Sequence, residues 1–167
     1  MNKKTLYIAY GSNLNLPQMA YRCPTAKMVG AGKINGYELL FRGAHHGAVA
    51  TIEPLKNSSV PIGLWELKEN DLRALDHYEG YPHLYRKEDL DVMLNGNSIT
   101  AMAYLIDDEY PFGAPSDYYL NVIREGYLSF GFDTDFLEQA AEKSIRLARE
   151  QQEAEPEQGC LFGPKYW

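Results

Sequence analysis

The amino-acid sequence predicts a mixed α/β fold, and three features support this prediction. Short apolar or alternating segments, typical of strands, recur between residues 5 and 106. Asn95-Gly96 separates two such segments and is a strong signal for a two-residue β-hairpin turn. Segments with helical periodicity, each with a recognisable first or last residue, lie between and after the strands. Helices are therefore expected both between and after the strands.

Length and composition indicate one globular domain with a substantial core. The chain has 167 residues, of which 45% are hydrophobic and 13% aromatic, so it is neither disordered nor too short to bury an apolar interior. We expect residues 1–150 to form the domain. The remaining segment, 151–167, begins acidic and ends aromatic, and is expected either to dock through its aromatic end or to fray, as chain ends commonly do.

The acidic charge of the chain limits the partners it can have. The formal net charge is −7, and no basic run is longer than Lys3-Lys4. A chain with this charge lacks the positively charged surface that is typical of proteins that bind nucleic acid or anionic lipid. No leader-like segment or membrane-length apolar run is present, so a cytoplasmic location is expected. We therefore predict no nucleic-acid partner and no membrane partner.

The cysteines and histidines do not indicate a metal site. Cys23 and Cys160 are too few for a disulfide scaffold or a cysteine-based metal centre. The pair His45-His46 invites a metal interpretation, but adjacent residues of a strand point to opposite faces. The four histidines show no familiar ligand spacing. Neither a metal nor another cofactor is expected.

Local signals give the order of the elements. The apolar run at residues 6–10 predicts the first strand, and Asn15 and Pro17 mark the start of a helix that ends near residue 22. Later strands are expected at residues 26–34, 37–42, 48–52, 60–67, 90–94 and 99–106. Further helices are predicted from residue 68 to the stop at Gly80, from the N-cap Ser116 to about residue 127, and at residues 134–152.

The segment Tyr10-Gly11-Ser12-Asn13-Leu14 is the first chemically informative feature. Gly11 breaks the first strand and polar residues lead into the helix, so the segment is typical of a strand, a tight glycine loop and a helix. This geometry leaves backbone N–H groups unpaired beside the positive end of a helix dipole, which suits a bound carboxylate or phosphate. A plain strand-to-helix turn has the same pattern, and the segment alone does not distinguish the two.

Glu79 is the second feature, at the last turn of the predicted helix before Gly80. The C-terminus of a helix carries partial negative charge and disfavours another anion. If tyrosines also enclose the carboxylate, desolvation raises its pKa in the same direction. Such a group can take and return a proton near neutral pH. The alternative is a solvated glutamate at a helix end. Asp76 is a rival acid, but it is expected to face a neighbouring direction.

No nucleophile accompanies these two features. Ser12 lacks the elbow context and the partner base of a hydrolase serine. The loop also lacks the Gly-Lys-Ser/Thr ending of a nucleotide-binding P-loop. The 13 tyrosines outnumber the 6 phenylalanines, and some are expected to line a polar cavity. One anion-binding loop and one carboxylate suit an intramolecular reaction, because the substrate then supplies its own nucleophile.

Four segments in order resemble the gamma-glutamylcyclotransferase family, which includes AIG2-like and gamma-glutamylamine cyclotransferase branches. The resemblance covers roughly residues 5–130. Residues 10–14 (YGSNL) are similar to the YGSN signature of the family, and residues 48–52 (AVATI) to its central small-residue strand. Residues 63–67 (GLWEL) followed by 75–80 (LDHYEG) resemble its catalytic segment. Pro115-Ser116, with Tyr119 and Gly126, resembles the late helix that borders the pocket.

The resemblance implies a small, partly closed β-barrel flanked by helices, and it implies roles for named residues. Glu79 would be the acid/base. Backbone groups of Gly11, Ser12, Asn13 and Leu14 would hold the gamma-glutamyl moiety, with Tyr10 belonging to the same motif. Tyr119 matches a pocket tyrosine of the family, and Tyr85 matches another when one residue is deleted after Glu79. The implied partner is a small gamma-glutamyl compound, which is converted to 5-oxoproline and a free amine or amino acid.

Two departures from the family pattern leave the substrate open. The loop at residues 80–85 is short compared with the glutathione-acting members, and the segment after about residue 150 has no counterpart. Two other functions are also considered: a non-catalytic binder of gamma-glutamyl or amino-acid ligands, and a biosynthetic cyclotransferase that removes a gamma-glutamyl protecting group. The oligomeric state, monomer or homodimer, stays open.

Overall fold

The computed structural model of the protein describes residues 3–43 and 47–154. Within these ranges the chain forms five β-strands and four α-helices. The strands are β1 (Thr5–Ala9), β2 (Lys27–Arg42), β3 (Val49–Leu67), β4 (Tyr85–Leu94) and β5 (Asn97–Ile106). The helices are α1 (Leu16–Arg22), α2 (Glu69–Glu79), α3 (Asp117–Phe130) and α4 (Thr134–Ala154), and a single 3₁₀ turn (Ser12–Leu14) precedes α1.

The five strands form a closed barrel in the order β1-β3-β2-β4-β5. β2 and β3 are a long antiparallel hairpin, whose pairing begins at Arg42 and Val49. β4 and β5 are a second hairpin, and its turn is Asn95-Gly96 with φ angles of 51° and 81°, as a primed two-residue turn requires. β1 closes the barrel between β3 and β5. The predicted mixed fold, barrel and hairpin turn are confirmed.

The first four of the later strand predictions are joined in pairs in the structure. The predicted strands at residues 26–34 and 37–42 form, from Lys27 onward, the single strand β2, which continues through an irregularity in register between Asn35 and Tyr37. Gly36 at this point has a φ of 81°, a conformation that glycine adopts without steric cost. Residues 49–52 of the next predicted strand and residues 60–67 likewise belong to β3. The sequence signalled a break at each point, and the structure has local irregularities within continuous strands.

The helices pack on strands of the barrel and on the 3₁₀ turn that follows β1. α4 lies against β2, where the Phe41 amide donates a hydrogen bond to Ser144 Oγ at 2.9 Å. α3 packs on the 3₁₀ turn, where a Cβ added to Gly126 would lie 2.6 Å from the backbone of Leu14. Only a glycine permits this approach, so it fixes the turn against the helix.

Helix boundaries follow the predicted capping residues. The Asn15 side chain accepts a hydrogen bond from the Gln18 amide at 3.1 Å at the start of α1. Ser116 does the same for Tyr119 at the start of α3, and Gly80 ends α2 with a φ of 68°. α4 continues past residue 150 to Ala154. The rest of the predicted tail, Cys160 and the pair His45-His46 lie outside the described residues.

Candidate active site

One pocket brings together most of the residues that the sequence singles out. It encloses about 300 Å³ of space, including its open mouth. Its walls come from the C-terminal end of β1, the turn that follows, the N-terminal parts of β3 and β4, β5, and the facing ends of α2 and α3. The lining residues are Tyr7, Tyr10, Gly11, Ser12, Asn13, Ala50, Glu79, Tyr85, Tyr104 and Tyr119.

The turn after β1 lines this pocket and contains backbone N–H groups without a partner in the turn. Ser12, Asn13 and Leu14 form one turn of 3₁₀ helix, in which the Leu14 amide donates to Gly11 O at 3.0 Å. The first N–H groups of such a turn have no acceptor within it. Among the described residues, no hydrogen-bond acceptor faces the amides of Ser12 and Asn13. These two N–H groups are therefore available to an anionic or carbonyl oxygen of a ligand.

Glu79 is the last residue of α2, at the end that carries partial negative charge. Burial in the pocket raises the pKa of its carboxyl group from an ordinary 4.5 to about 7. The positive charge of Arg22 and a hydrogen bond from Asn13 act in the opposite direction, but desolvation outweighs both. The carboxyl group can therefore exist in either protonation state near neutral pH, as an acid/base catalyst must.

The side chain of Asn13 connects the two predicted features. Its Nδ2 donates to Glu79 Oε1 at 3.2 Å and to the Tyr7 hydroxyl at 2.8 Å. Its Oδ1 accepts from Arg22 Nη1 at 2.8 Å. Both N–H groups and the carbonyl oxygen of the amide are thus engaged, which fixes its orientation. The carboxylate is held against the turn that supplies the free backbone amides.

Hydroxyl groups of tyrosines complete the walls. The Tyr85 hydroxyl donates to Ala50 O at 2.8 Å, and the Tyr119 hydroxyl accepts from the Ala50 amide at 3.0 Å. The Tyr10 hydroxyl donates to the carbonyl oxygen of Tyr104. Burial raises the pKa of Tyr10, Tyr85 and Tyr119 above 10, so these rings stay neutral at pH 7. Among the described lining residues, Glu79 is therefore the one group that titrates near neutral pH, and the tyrosine hydroxyls are fixed dipoles.

Small residues keep the floor of the pocket open. A Cβ added to Gly11 would lie 3.2 Å from Ala50 Cβ and 3.6 Å from the Tyr119 hydroxyl. Larger side chains at either position would fill the space beside the free amides. In the sequence, Ala50 is distinguished only as part of the small-residue segment at residues 48–52.

The structure groups the sequence-predicted residues as follows. Tyr10, Gly11, Ser12, Asn13, Glu79, Tyr85 and Tyr119 line one pocket. Leu14 does not line it: the side chain is fully buried, and the amide is used within the turn. Asp76 also lies outside the lining, where its carboxylate pairs with Lys87 Nζ at 2.9 Å and accepts from the Tyr104 hydroxyl.

Sequence reasoning did not find four residues of this region. Tyr7 and Tyr104 line the pocket from β1 and β5, and Arg22 and Tyr78 lie behind Asn13 and Glu79. The high tyrosine content was the only signal for the first two. Arg22 had no signal, because its role depends on how α1 packs against α2.

The part of the chain that the structure describes contains no cluster of potential metal ligands. No three histidine, cysteine, aspartate or glutamate side chains of residues 3–43 and 47–154 cluster closely enough to hold an ion. In the same ranges, no helix has the length and apolar character needed to span a bilayer.

A family model and two curated relatives indicate the same protein family. The family model described as gamma-glutamyl cyclotransferase, AIG2-like, matches residues 7–122. The chain is 28% identical over 142 residues to gamma-glutamylcyclotransferase of Homo sapiens, covering 80% of this chain and 75% of the relative. The protein of that name from Mus musculus is also 28% identical over 142 residues, with the same coverage of 80% and 75%.

Solved structures agree with the sequence comparison. A structure described as gamma-glutamyl cyclotransferase superposes with a TM-score of 0.75 at 26% identity, covering 83% of this chain and 86% of the other. The crystal structure of an uncharacterized human protein gives 0.74 at 27% identity, with coverage of 82% and 86%. The family predicted from the four sequence segments is confirmed. The chain belongs to the gamma-glutamyl cyclotransferase, AIG2-like family.

Proposed function

We propose that the protein cyclises a gamma-glutamyl compound to 5-oxoproline and releases the amine or amino acid bound through the γ-amide. The observation that carries this proposal is the juxtaposition of Glu79, with a pKa near 7, and the free amides of Ser12 and Asn13 in one pocket. Membership of the family supports the same chemistry.

The charges of a gamma-glutamyl group match those of the pocket. The group carries an α-ammonium, an α-carboxylate and a γ-amide. Among the described lining residues, Glu79 is the one acidic side chain, and it attracts the ammonium. The amides of Ser12 and Asn13 suit the carboxylate or the oxyanion that develops on the γ-carbonyl. The tyrosine hydroxyls supply further polar contacts without adding charge.

The reaction begins with a proton transfer. Ionised Glu79 accepts a proton from the α-ammonium, and the freed amine attacks the γ-carbonyl carbon. A C–N bond forms, closing a five-membered ring, and the carbonyl oxygen becomes an oxyanion. Glu79 then gives this proton to the leaving nitrogen, and the bond from the γ-carbonyl carbon to that nitrogen breaks as the oxyanion returns to a carbonyl. The ionised Glu79 accepts the second proton from the ring nitrogen and passes it to the released amine.

No external nucleophile is needed, because the amine and the γ-carbonyl belong to the same molecule. Holding tethered groups in a near-attack geometry supplies several kcal/mol of the barrier. The small floor at Gly11 and Ala50, with the rigid tyrosine walls, suits this role because it leaves a bound chain little space in which to extend. A catalytic apparatus of one carboxylate and a few dipoles is then sufficient.

The test is release of 5-oxoproline from gamma-glutamyl-alanine, glutathione and a gamma-glutamyl amine, each measured against a blank without protein. Enzyme-dependent product from at least one compound is expected, and the relative rates rank the leaving groups. If all three compounds bind and none releases 5-oxoproline, the proposal for these substrates fails and a non-catalytic binding function is favoured. A biosynthetic cyclotransferase would act instead on a larger gamma-glutamylated substrate.

A further inference from the structure

Arg22, the last residue of α1, lies behind the pocket and contacts both of the elements that form the site. Its Nη1 donates to Asn13 Oδ1 at 2.8 Å, and its Nη2 donates to Gln18 Oε1. The guanidinium plane covers the ring of Tyr78, with Cζ 3.7 Å from the ring centroid. Arg22 therefore joins α1, the 3₁₀ turn and the C-terminal end of α2.

These contacts determine what the Asn13 amide offers to the pocket. An asparagine amide can turn over and exchange its oxygen and nitrogen. With Arg22 donating to one side, the oxygen must face the guanidinium, and the NH₂ group must face Glu79 and the Tyr7 hydroxyl. The opposite orientation would place two donors together and set the amide oxygen against the carboxylate.

Tyr78 adds a second constraint on the same carboxylate. It precedes Glu79 in the chain, and its hydroxyl lies 3.3 Å from Ser12 Oγ. Tyr78 is 44% exposed, and its ring stacks on the guanidinium of Arg22. Cation–π stacking of this kind is favourable. Arg22 thus fixes the end of α2 from which Glu79 projects.

We propose that Arg22 is a positioning residue for Glu79, which it orients through the Asn13 amide on one side and through the Tyr78 ring on the other. The inference rests on the proposed function, because positioning matters for turnover only if Glu79 transfers protons. Arg22 itself does not line the pocket, so it acts on the substrate only through these neighbours.

Arg22 also affects the pKa of the Glu79 carboxyl group. The titratable groups that face it are Tyr7 and Tyr10 from the β1 end, Tyr85 from β4, Tyr104 from β5 and Tyr119 from α3. All have pKa values raised above 10 and are neutral at pH 7. On α2 itself, Asp76 is paired with Lys87. Among the described residues, Arg22 is the charge that lowers the pKa of Glu79.

The test combines a titration of the free protein with steady-state kinetics. The carboxyl carbon of Glu79, assigned by the signal lost in E79Q, is titrated by NMR in the wild type, R22Q and R22K. R22Q should titrate about one pH unit higher than the wild type, and R22K closer to it, because lysine keeps the charge. For 5-oxoproline release at pH 7, R22Q should lower kcat by about tenfold or more with little change in KM, and R22K should recover part of the loss.

Arg73 provides the matched control. It lies on α2, and its side chain is 72% exposed, so R73Q removes the same charge from the same region without touching the network. A titration of Glu79 and a kcat that are the same in R22Q and R73Q would overturn the proposal. Since the titration needs no substrate, it can succeed or fail independently of the proposed reaction.

A measurement on the wild type covers the case in which R22Q does not fold. The side-chain amide protons of Asn13 should shift with pH at the same midpoint as the Glu79 carboxyl, because one of them donates to it. Amide protons that do not respond to this titration would contradict the orientation that Arg22 is proposed to impose.

Discussion

The side-chain amide of Asn13 donates a hydrogen bond to Glu79 Oε1 at 3.2 Å, across 66 residues of sequence. This bond joins the turn after β1 to the end of α2, the two segments whose chemistry is informative when each is read alone. A group of free backbone amides and a carboxyl group with a raised pKa meet in one tyrosine-lined pocket. The proposed reaction depends on that proximity.

The pKa of Glu79 predicts the pH dependence of the reaction. Only the ionised carboxylate accepts a proton from the substrate, and burial raises its pKa to about 7. We expect kcat/KM for 5-oxoproline release to fall about tenfold per pH unit below pH 7 and to level off above it. Initial rates between about pH 4 and 8 measure this. An acid limb centred near 4.5, the ordinary value for glutamate, would contradict the proposed environment of Glu79.

The same shift predicts a pH dependence of stability. The pKa of Glu79 is higher in the folded protein than in the unfolded chain. Its contribution to the free energy of unfolding is therefore fully favourable below about pH 4.5 and is lost as the pH rises through 7. At pH 8 the ionised group costs at most about 3 kcal/mol. E79Q should therefore resist urea better than the wild type at pH 8, with a difference that shrinks toward pH 4.5. Equal stability at both pH values would argue against the shift.

Gly11 predicts a change in binding. A Cβ here would already lie 3.2 Å from Ala50 Cβ, and the larger side chain of Gly11→Val would extend into the space beside the free amides. We expect KM to rise by about tenfold, equivalent to about 1.4 kcal/mol, while the melting temperature changes less. Gly11→Ala should give an intermediate KM. A large loss of stability with an unchanged KM would show that the glycine serves the fold and not the pocket.

A substitution at Gly126 is expected to affect stability and not binding. Its Cβ would lie 2.6 Å from the backbone of Leu14, and backbone atoms cannot move aside as a flexible side chain can. Gly126→Ala should destabilise the protein by about 1–3 kcal/mol, although alanine is the better helix former. Ser129→Ala on the exposed face of α3 is the matched control and should change stability little. Urea unfolding of the two variants measures the difference; a stable Gly126→Ala would contradict the packing described.

Features that depend only on residues close together in the sequence could be predicted. The turn at Asn95-Gly96, the Ser116 cap and the Gly80 stop each require only local chemistry, and each is observed. The sequence does not predict that β2 and β3 are each continuous, because Gly36 and the residues around Pro54 are typical of the ends of strands. In the barrel, the long pairing between the two strands carries the sheet through these points.

The candidate site could be predicted only in part for a related reason. Residues 10–13 and Glu79 belong to recognisable local patterns, and the structure brings them into one pocket. Tyr7 and Tyr104 meet there because the barrel closes between β1 and β5, and Arg22 joins them because α1 packs near the end of α2. Strand alternation and helical periodicity do not specify such contacts between distant elements.

The measurement that tests the central claim most directly is turnover by E79Q. With the best substrate of the panel at saturating concentration, 5-oxoproline release should fall about 10²–10⁴-fold, while the substrate still binds and the protein stays folded. E69Q, at an exposed position at the start of the same helix, is the matched control and should keep the wild-type rate. An E79Q variant that turns over within about twofold of E69Q would contradict the account, because another group would then have to transfer the protons.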